Sequence, residues 1–400
     1  MLIGSRIAAV TRNLDDYRWL VSSTAESWLE SRGDDPLRLL SRLRKELSAE
    51  RAHLVAEQIE LRRRAQEKFR LADRMFFTRK GYEQATDEPI ASYKAGRFPE
   101  SGAITDLCCG IGGDLLAFAA RGAAQGVDRD EVAALFAAAN AVAHGFDINQ
   151  CAVRSRSIAE SDLGNGYWHC DPDRRPTGTR TTRGELFEPP LEILTAFRLR
   201  NQNASLKLAP ATELPVEWCE QAEREWLESR GECRQQVAWF GGLARHPGRR
   251  SATVLLPHGR IQTIVGNDDQ LPPVAAQVGR YLYEPAAAVL AAKLTTDLCR
   301  EHNLAAISSG VAYLTSDKVI DDVTLAAFEV LDILPLDRKQ LRAYCREHHL
   351  GRLEIKKRGV DVDPERLRKE IAGTGDNAAT ILIAPHQQHI RAIVAARRVT

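Results

Sequence analysis

Apolar side chains recur every three or four positions through the first hundred residues, as in Leu37, Leu40, Leu43 and Leu47 and again in Leu54, Ile59 and Leu61. That spacing is the signature of amphipathic helices, so residues 1–98 read as an N-terminal helical domain. The pattern changes near residue 102. Short apolar runs at 103–107, 125–127, 150–153, 167–170, 204–208, 235–240 and 251–257 follow one another, the early ones separated by helical stretches at 114–121 and 131–143. Strands alternating with helices predict an α/β domain over 99–270, a mostly parallel sheet with helices on both faces. The last two strands, joined through 241–250, are expected to form an antiparallel pair at one edge. Pro272-Pro273 opens a helical linker region, 271–321, with its helical stretch at 285–302. From 322 the order is strand 327–334, helix 337–349, strand 351–357, helix 363–371 and strands 379–384 and 390–395, a compact α+β module over 322–400.

Charge and composition change this picture little. Lys plus Arg number 55 against 54 for Asp plus Glu, so the whole chain favours no charged partner. From residue 336 onward the balance shifts to 14 Lys/Arg against 8 Asp/Glu, a surplus of six that suits a polyanion such as nucleic acid and equally the surface of an ordinary module. Arg62-Arg63-Arg64 reads as a solvated helix face. No apolar run approaches the roughly 18 residues of a membrane helix, and the N-terminus turns acidic and aromatic before a signal region forms. The expectation is a cytoplasmic protein with no membrane contact. Eight scattered cysteines without a CxxC pair read as reduced thiols, and no metal site is expected.

The chemistry concentrates in D-L-C-C-G-I-G-G-D, residues 106–114. It lies where the first strand passes into the first helix, the place at which open α/β sheets bind ligands. Gly110 and Gly112 allow backbone conformations that a Cβ would block and let a ligand lie against the main chain. A dinucleotide fold would want G-x-G-x-x-G, whereas here Asp114 stands where a pyrophosphate needs a neutral approach. Asp106, at the strand end, suits an ammonium group. Asp128, in G-V-D-R-D at the end of the second strand, can accept both hydroxyls of a ribose. An amino acid joined to a nucleoside satisfies all of these features, and that ligand is S-adenosylmethionine. Cys108 and Cys109 then serve as small side chains beside a buried ligand.

With F-F-T-R-K-G-Y-E-Q-A-T (76–86), D-P-D-R-R (171–175) and L-E-I-K-K-R-G-V-D-V-D-P (353–364), this loop makes the chain resemble bacterial class I S-adenosylmethionine-dependent methyltransferases with a THUMP-like C-terminal domain. Those are related to RNA guanine-N2 methyltransferases that include trimethylguanosine synthase. The resemblance implies a seven-stranded Rossmann-like sheet. It implies that the methionine amino group lies near Asp106 and the backbone of Cys108 and Gly110, that Asp128 holds the ribose, and that the segment ending at Thr86 closes over the methionine end. Thr86 before Asp87-Glu88 also reads as a helix N-cap. Ser157 stands where the family's adenine-contacting acid is usual, with Asp162 a few residues later.

Enzymes methylating exocyclic base amines use an acid or amide followed by Pro-Pro and an aromatic. Here Asp171 and Pro172 supply the acceptor and one proline, and Asp173-Arg174-Arg175 replaces the rest. Arg174 can stack on a base, or the two arginines can grip a phosphate or carboxylate; Asp171 can equally cap the strand-end loop. Trp168 and His169 read as core residues. The expected activity is methyl transfer to a base nitrogen of RNA. A small-molecule or protein substrate and a non-catalytic cofactor-binding protein remain as rivals, and nothing in the sequence sets the oligomeric state.

Overall fold

A computed structural model describes residues 13–30, 36–100, 102–158, 163, 166–173, 187–267 and 270–398. The chain forms two compact units. Among the described residues, the first holds those up to Leu208 together with Thr212–Leu214 and Ala238–Arg245, and the second holds Ala209–Ala211, Pro215–Val237 and those from His246 onward.

The first unit opens with helices α1 (Leu14–Leu20), α2 (Ser23–Leu29), α3 (Pro36–Leu43), α4 (Ala49–Ala65), α5 (Arg79–Gln84) and α6 (Glu88–Ala95). Side-chain caps start several of them: Ser48 for α4, Thr78 for α5 and Asp87 for α6. The α6 cap is thus Asp87 and not Thr86, whose hydroxyl is engaged elsewhere. Arg62 is not solvated as expected. Its Nε donates to the Met75 carbonyl at 2.8 Å, its guanidinium lies 4.9 Å from the Phe76 ring centre, and burial lowers its pKa to about 10.

The sheet of this unit is built from β1 (Ile104–Leu107), helix α7 (Leu115–Ala119), β2 (Ala124–Asp128), helix α8 (Glu131–Ala143), β3 (Cys151–Ser155), β4 (Tyr167–Cys170), helix α9 (Leu191–Arg200) and β5 (Ala204–Leu208). The strands run parallel in the order β3-β2-β1-β4-β5. The chain reverses between β1 and β4, so the tips of β1, β2 and β4 gather at the switch point where such folds bind ligands. Trp168 and His169 are fully buried core residues, as expected. Asn140 on α8 stitches two segments that meet at this end: Phe76 N–H donates to its Oδ1 at 2.6 Å, and its Nδ2 donates to Ile111 O at 2.9 Å.

The second unit carries α10 (Val216–Gln221), β6 (Glu223–Ser229), β7 (Glu232–Trp239), whose last two residues belong to the first unit, β8 (Arg250–Leu255) and β9 (Ile261–Gly266). The strand order is β7-β6-β8-β9. Counted through β7, the first sheet has nine strands and not seven. The expected β7–β8 pair is absent because β6 lies between them, and the antiparallel edge pair is β8 with β9. Strand β6 is absent from the apolar runs of the sequence because its glutamates interrupt the apolar pattern. In fact Glu223 and Glu225 are buried and accept from Ser251 and Thr253 hydroxyls at 2.9 and 2.6 Å. Arg230 and Gly231, both with positive φ, close the β6–β7 hairpin.

The linker region is helical only in α11 (Ala287–Ala291) and α12 (Thr295–His302); it also gives β10 (Tyr281–Pro285), β11 (Ala305–Ala306) and β12 (Leu314–Ser316). These extend the C-terminal module of β13 (Leu325–Pro335), α13 (Arg338–Glu347), β14 (Leu350–Lys357), α14 (Pro364–Ile371), β15 (Asn377–His386) and β16 (His389–Arg397) into a second sheet, ordered β11-β12-β10-β13-β16-β15-β14. Leu341 and Cys345 of α13 with Leu367 and Ile371 of α14 pack on Ile381, Ile383, Ala392 and Val394 of its face.

Candidate functional site

The bend after β1 needs its glycines. Gly110 and Gly112 have φ of 55° and 94°, and Cys108 itself sits at φ 60°, a left-handed conformation that a residue with a Cβ rarely takes. Gly113 presses against the backbone of Thr86, where an added Cβ would come within 3.1 Å of the amide nitrogen. Asp128 fixes the bend from the neighbouring strand. Its Oδ2 accepts from Gly110 N–H at 2.8 Å and its Oδ1 from Asp130 N–H at 2.9 Å, while burial raises its pKa. Each oxygen has a second lone pair left for a ligand hydroxyl.

A cleft at this point is lined by Gly81, Gln84, Ala85, Thr86, Asp106, Cys108, Cys109, Ile111, Gly113, Asp114, Asp171 and Lys207. The structure thereby brings together Thr86, Asp106, both cysteines and Asp171 from the expected set. Gly112 lies within the same bend, with Leu116 and Ala137 beneath it. Ser157 is exposed beyond the end of β3. Pro172 is buried beside Asp171. Arg174, Arg175 and Asp162 lie outside the described residues.

Asp106 is 1% exposed, and among the described residues neither carboxylate oxygen has a hydrogen-bond partner. Burial, then the neighbouring Asp114, push its pKa well above the ordinary carboxylate range. Asp114 has the opposite surroundings. Lys94 of α6, wholly buried, pairs with its Oδ1 at 2.6 Å, as an ion pair without hydrogen-bond alignment. The Thr86 hydroxyl donates to Oδ2 at 2.8 Å, and His169 Nε2 stands 3.5 Å away, too far for a strong bond. Burial alone would raise the Asp114 pKa; Lys94 and His169 outweigh it and hold it well below the usual value. The expectation that Asp114 would repel an approaching anion therefore falls, since its charge is met inside the protein.

The side of the cleft that holds Asp171 is ordered from β5. Lys207 Nζ donates to Asp171 Oδ2 at 2.6 Å and to Gln84 O at 3.0 Å. Lys80 meets Asp173 at 2.7 Å. The 79–86 segment and the 171–173 turn are thus tied to each other across the cleft mouth. Lys94, Lys207 and His169 have roles that sequence reading missed. The one signal was a lysine inside each of two otherwise apolar stretches, I-A-S-Y-K-A and S-L-K-L. Among the described residues no group of His, Cys, Asp and Glu could hold a metal, and no helix is long and apolar enough to cross a membrane.

Residues 325–397 match the THUMP domain-like family. Two Mycobacterium tuberculosis proteins, from strains CDC 1551 and H37Rv, named uncharacterized S-adenosylmethionine-dependent methyltransferases, are each 29% identical over 312 residues, covering 77% of this chain and 84% of theirs. Over three quarters of its length the chain is thus similar to proteins named S-adenosylmethionine-dependent methyltransferases. A solved Porphyromonas gingivalis protein assigned as a methyltransferase shares its fold, with a TM-score of 0.78 over 97% of this chain and 98% of that one at 19% identity. The cleft fits S-adenosylmethionine, because a buried carboxylate that has no partner among the described residues, beside a glycine bend, suits the ammonium end of such a ligand.

Proposed function

We propose that this chain is an S-adenosylmethionine-dependent methyltransferase that modifies a base nitrogen of RNA, with an exocyclic amine of the guanine-N2 type as acceptor. The observation that carries the reading is the placing of Asp171, an acid at the tip of β4, in one cleft with the unpartnered Asp106. When bound, S-adenosylmethionine supplies an activated methyl group. Asp106 and the backbone of Cys108 and Gly110 hold its amino-acid end under Gly81 to Thr86, Asp128 takes the ribose hydroxyls, and Ser157 lies on the adenine side.

Asp171 receives the acceptor. Its backbone N–H donates to Leu107 O at 3.3 Å and Lys207 holds its Oδ2, which leaves Oδ1 to accept a hydrogen of the amine. Aligning donor and acceptor is the main work left to the protein. The THUMP-like match and the basic surplus from residue 336 support RNA as the partner. Arg338, Lys339, Arg342 and Arg346 stand exposed along α13, where phosphates can reach them.

The test incubates the protein with radiolabelled S-adenosylmethionine and fractionated cellular RNA, followed by digestion to nucleosides. Label is expected in a guanine nucleoside. Asp171→Ala should abolish incorporation with cofactor affinity nearly unchanged, and Asp128→Ala should weaken cofactor affinity by about 1.5–3 kcal/mol, the range for a lost hydrogen bond to a charged group. Label confined to protein or small metabolites would sink the RNA assignment.

A further inference from the structure

Taking a carboxylate out of water without a partner costs several kcal/mol, more than a neutral carboxyl group costs at the same place. Asp106 is in that position, and the groups around it explain why, among the described residues, no cation pairs with it directly, although Lys94 and Lys207 lower its pKa from a distance. Strand β4 brings His169, Cys170 and Asp171; β5 brings Lys207, α6 brings Lys94, and Asp114, Cys109 and Cys151 close the remaining sides. His169 is held neutral by burial and by Lys94, and burial keeps the three thiols protonated. Lys94 is committed to Asp114 and Lys207 to Asp171, both at 2.6 Å. Two cations therefore face three acids, and the third acid is Asp106.

We propose that the cleft exchanges a proton for its ligand: Asp106 is an uncharged carboxylic acid before binding and releases its proton when a ligand ammonium group takes up the adjoining position. The inference rests on the cofactor pocket proposed above and adds the change of ionisation that accompanies loading. The balance is simple. The O–H bond of Asp106 breaks, its proton passes to solvent, and the carboxylate keeps the electron pair and faces the ammonium. The raised pKa of Asp106, caused first by burial and then by Asp114, sets the window. Below that pKa, affinity rises with pH by up to tenfold per unit; above it the dependence flattens. Affinity falls again once the ligand's α-amino group loses its own proton, near the ordinary range of about 7.7–8.0. S-adenosylhomocysteine carries the same ammonium group and follows the same rule. Methylthioadenosine, which lacks it, does not.

The experiment is isothermal titration calorimetry of the full chain with S-adenosylmethionine between about pH 5 and 7, in buffers of different ionisation enthalpy, so that the slope of heat against buffer enthalpy counts protons. Release should climb toward one proton as the pH is lowered, and methylthioadenosine should release none. Asp106→Asn should bind more weakly with no release, whereas Asp128→Ala should bind more weakly with release preserved. Tight binding of S-adenosylmethionine without proton release across the range overturns the exchange and leaves the pocket standing, and so does the same release from Asp106→Asn. Absence of binding at every pH removes the pocket and the exchange together. The wild-type titration decides the matter even where a variant fails to fold.

Discussion

Asp106 and Asp114 stand at the two ends of one glycine-rich bend and are buried almost equally, at 1% and 5% exposure. Their environments drive their pKa values in opposite directions. The difference lies in partners. Asp114 has a lysine and a threonine hydroxyl supplied by the protein, and its charge is a structural element that holds α6 against the bend. Among the described residues Asp106 has neither, and in the proposal above its counter-charge comes from the ligand. Burial by itself thus says little about role. What separates a structural acid from a binding acid is whether the fold supplies the counter-charge.

The sharpest way to break this comparison is to strip Asp114 of its cation. Lys94→Met keeps the volume and leaves a buried carboxylate unpaired, which should cost about 3–5 kcal/mol of stability in urea unfolding of the first unit. Adding Asp114→Leu to that variant should recover most of the loss. A single variant as stable as wild type would show that the 2.6 Å pair contributes little and that Asp114 and Asp106 differ less than their surroundings suggest.

The sequence made the outline of this contrast legible without its cause. Asp106, Asp128 and the glycine bend could be read because they sit at strand ends, where chain order alone places them side by side. The partners of Asp114 could not, since Lys94 arrives from α6 and His169 from β4. Lys207 reaches Asp171 from β5 in the same way. Each is a long-range contact that no local spacing encodes. Strand β6 is hidden for a related reason: Glu223, Glu225 and Glu228 break its apolar pattern, and their hydrogen bonds to Ser251, Thr253 and the Ala288 N–H form only in the folded chain. The C-terminal module was read to within a few residues because its helices are amphipathic and well capped by Asp337 and Asp363.

A smaller effect sharpens the division of labour. Thr86 lines the cleft, yet its hydroxyl is spent on Asp114. Thr86→Val preserves shape and removes one hydrogen bond to a charged acceptor, for an expected loss of about 1.5–3 kcal/mol in stability with cofactor affinity within about twofold of wild type by calorimetry. Should affinity collapse while stability holds, Thr86 belongs with Asp106 on the ligand side.

A further effect has the opposite sign. Because the Asp106 pKa is raised in the fold, the native protein keeps this proton at pH values where the unfolded chain has lost it, so native stability falls as pH rises from about 4 through the raised value. Asp106→Asn cannot ionise and escapes that penalty. At pH 7 the ligand-free variant should be more stable than wild type in urea unfolding, and the two should converge below about pH 4. Asp114→Asn should do the reverse at pH 7, because its carboxylate is stabilised by Lys94 and the amide is not. If both asparagine variants were destabilised alike at neutral pH, partner supply would not be what distinguishes the two acids. If only Asp106→Asn gains stability, and loses the cofactor in the same step, the bend holds a site whose strain is relieved by its ligand.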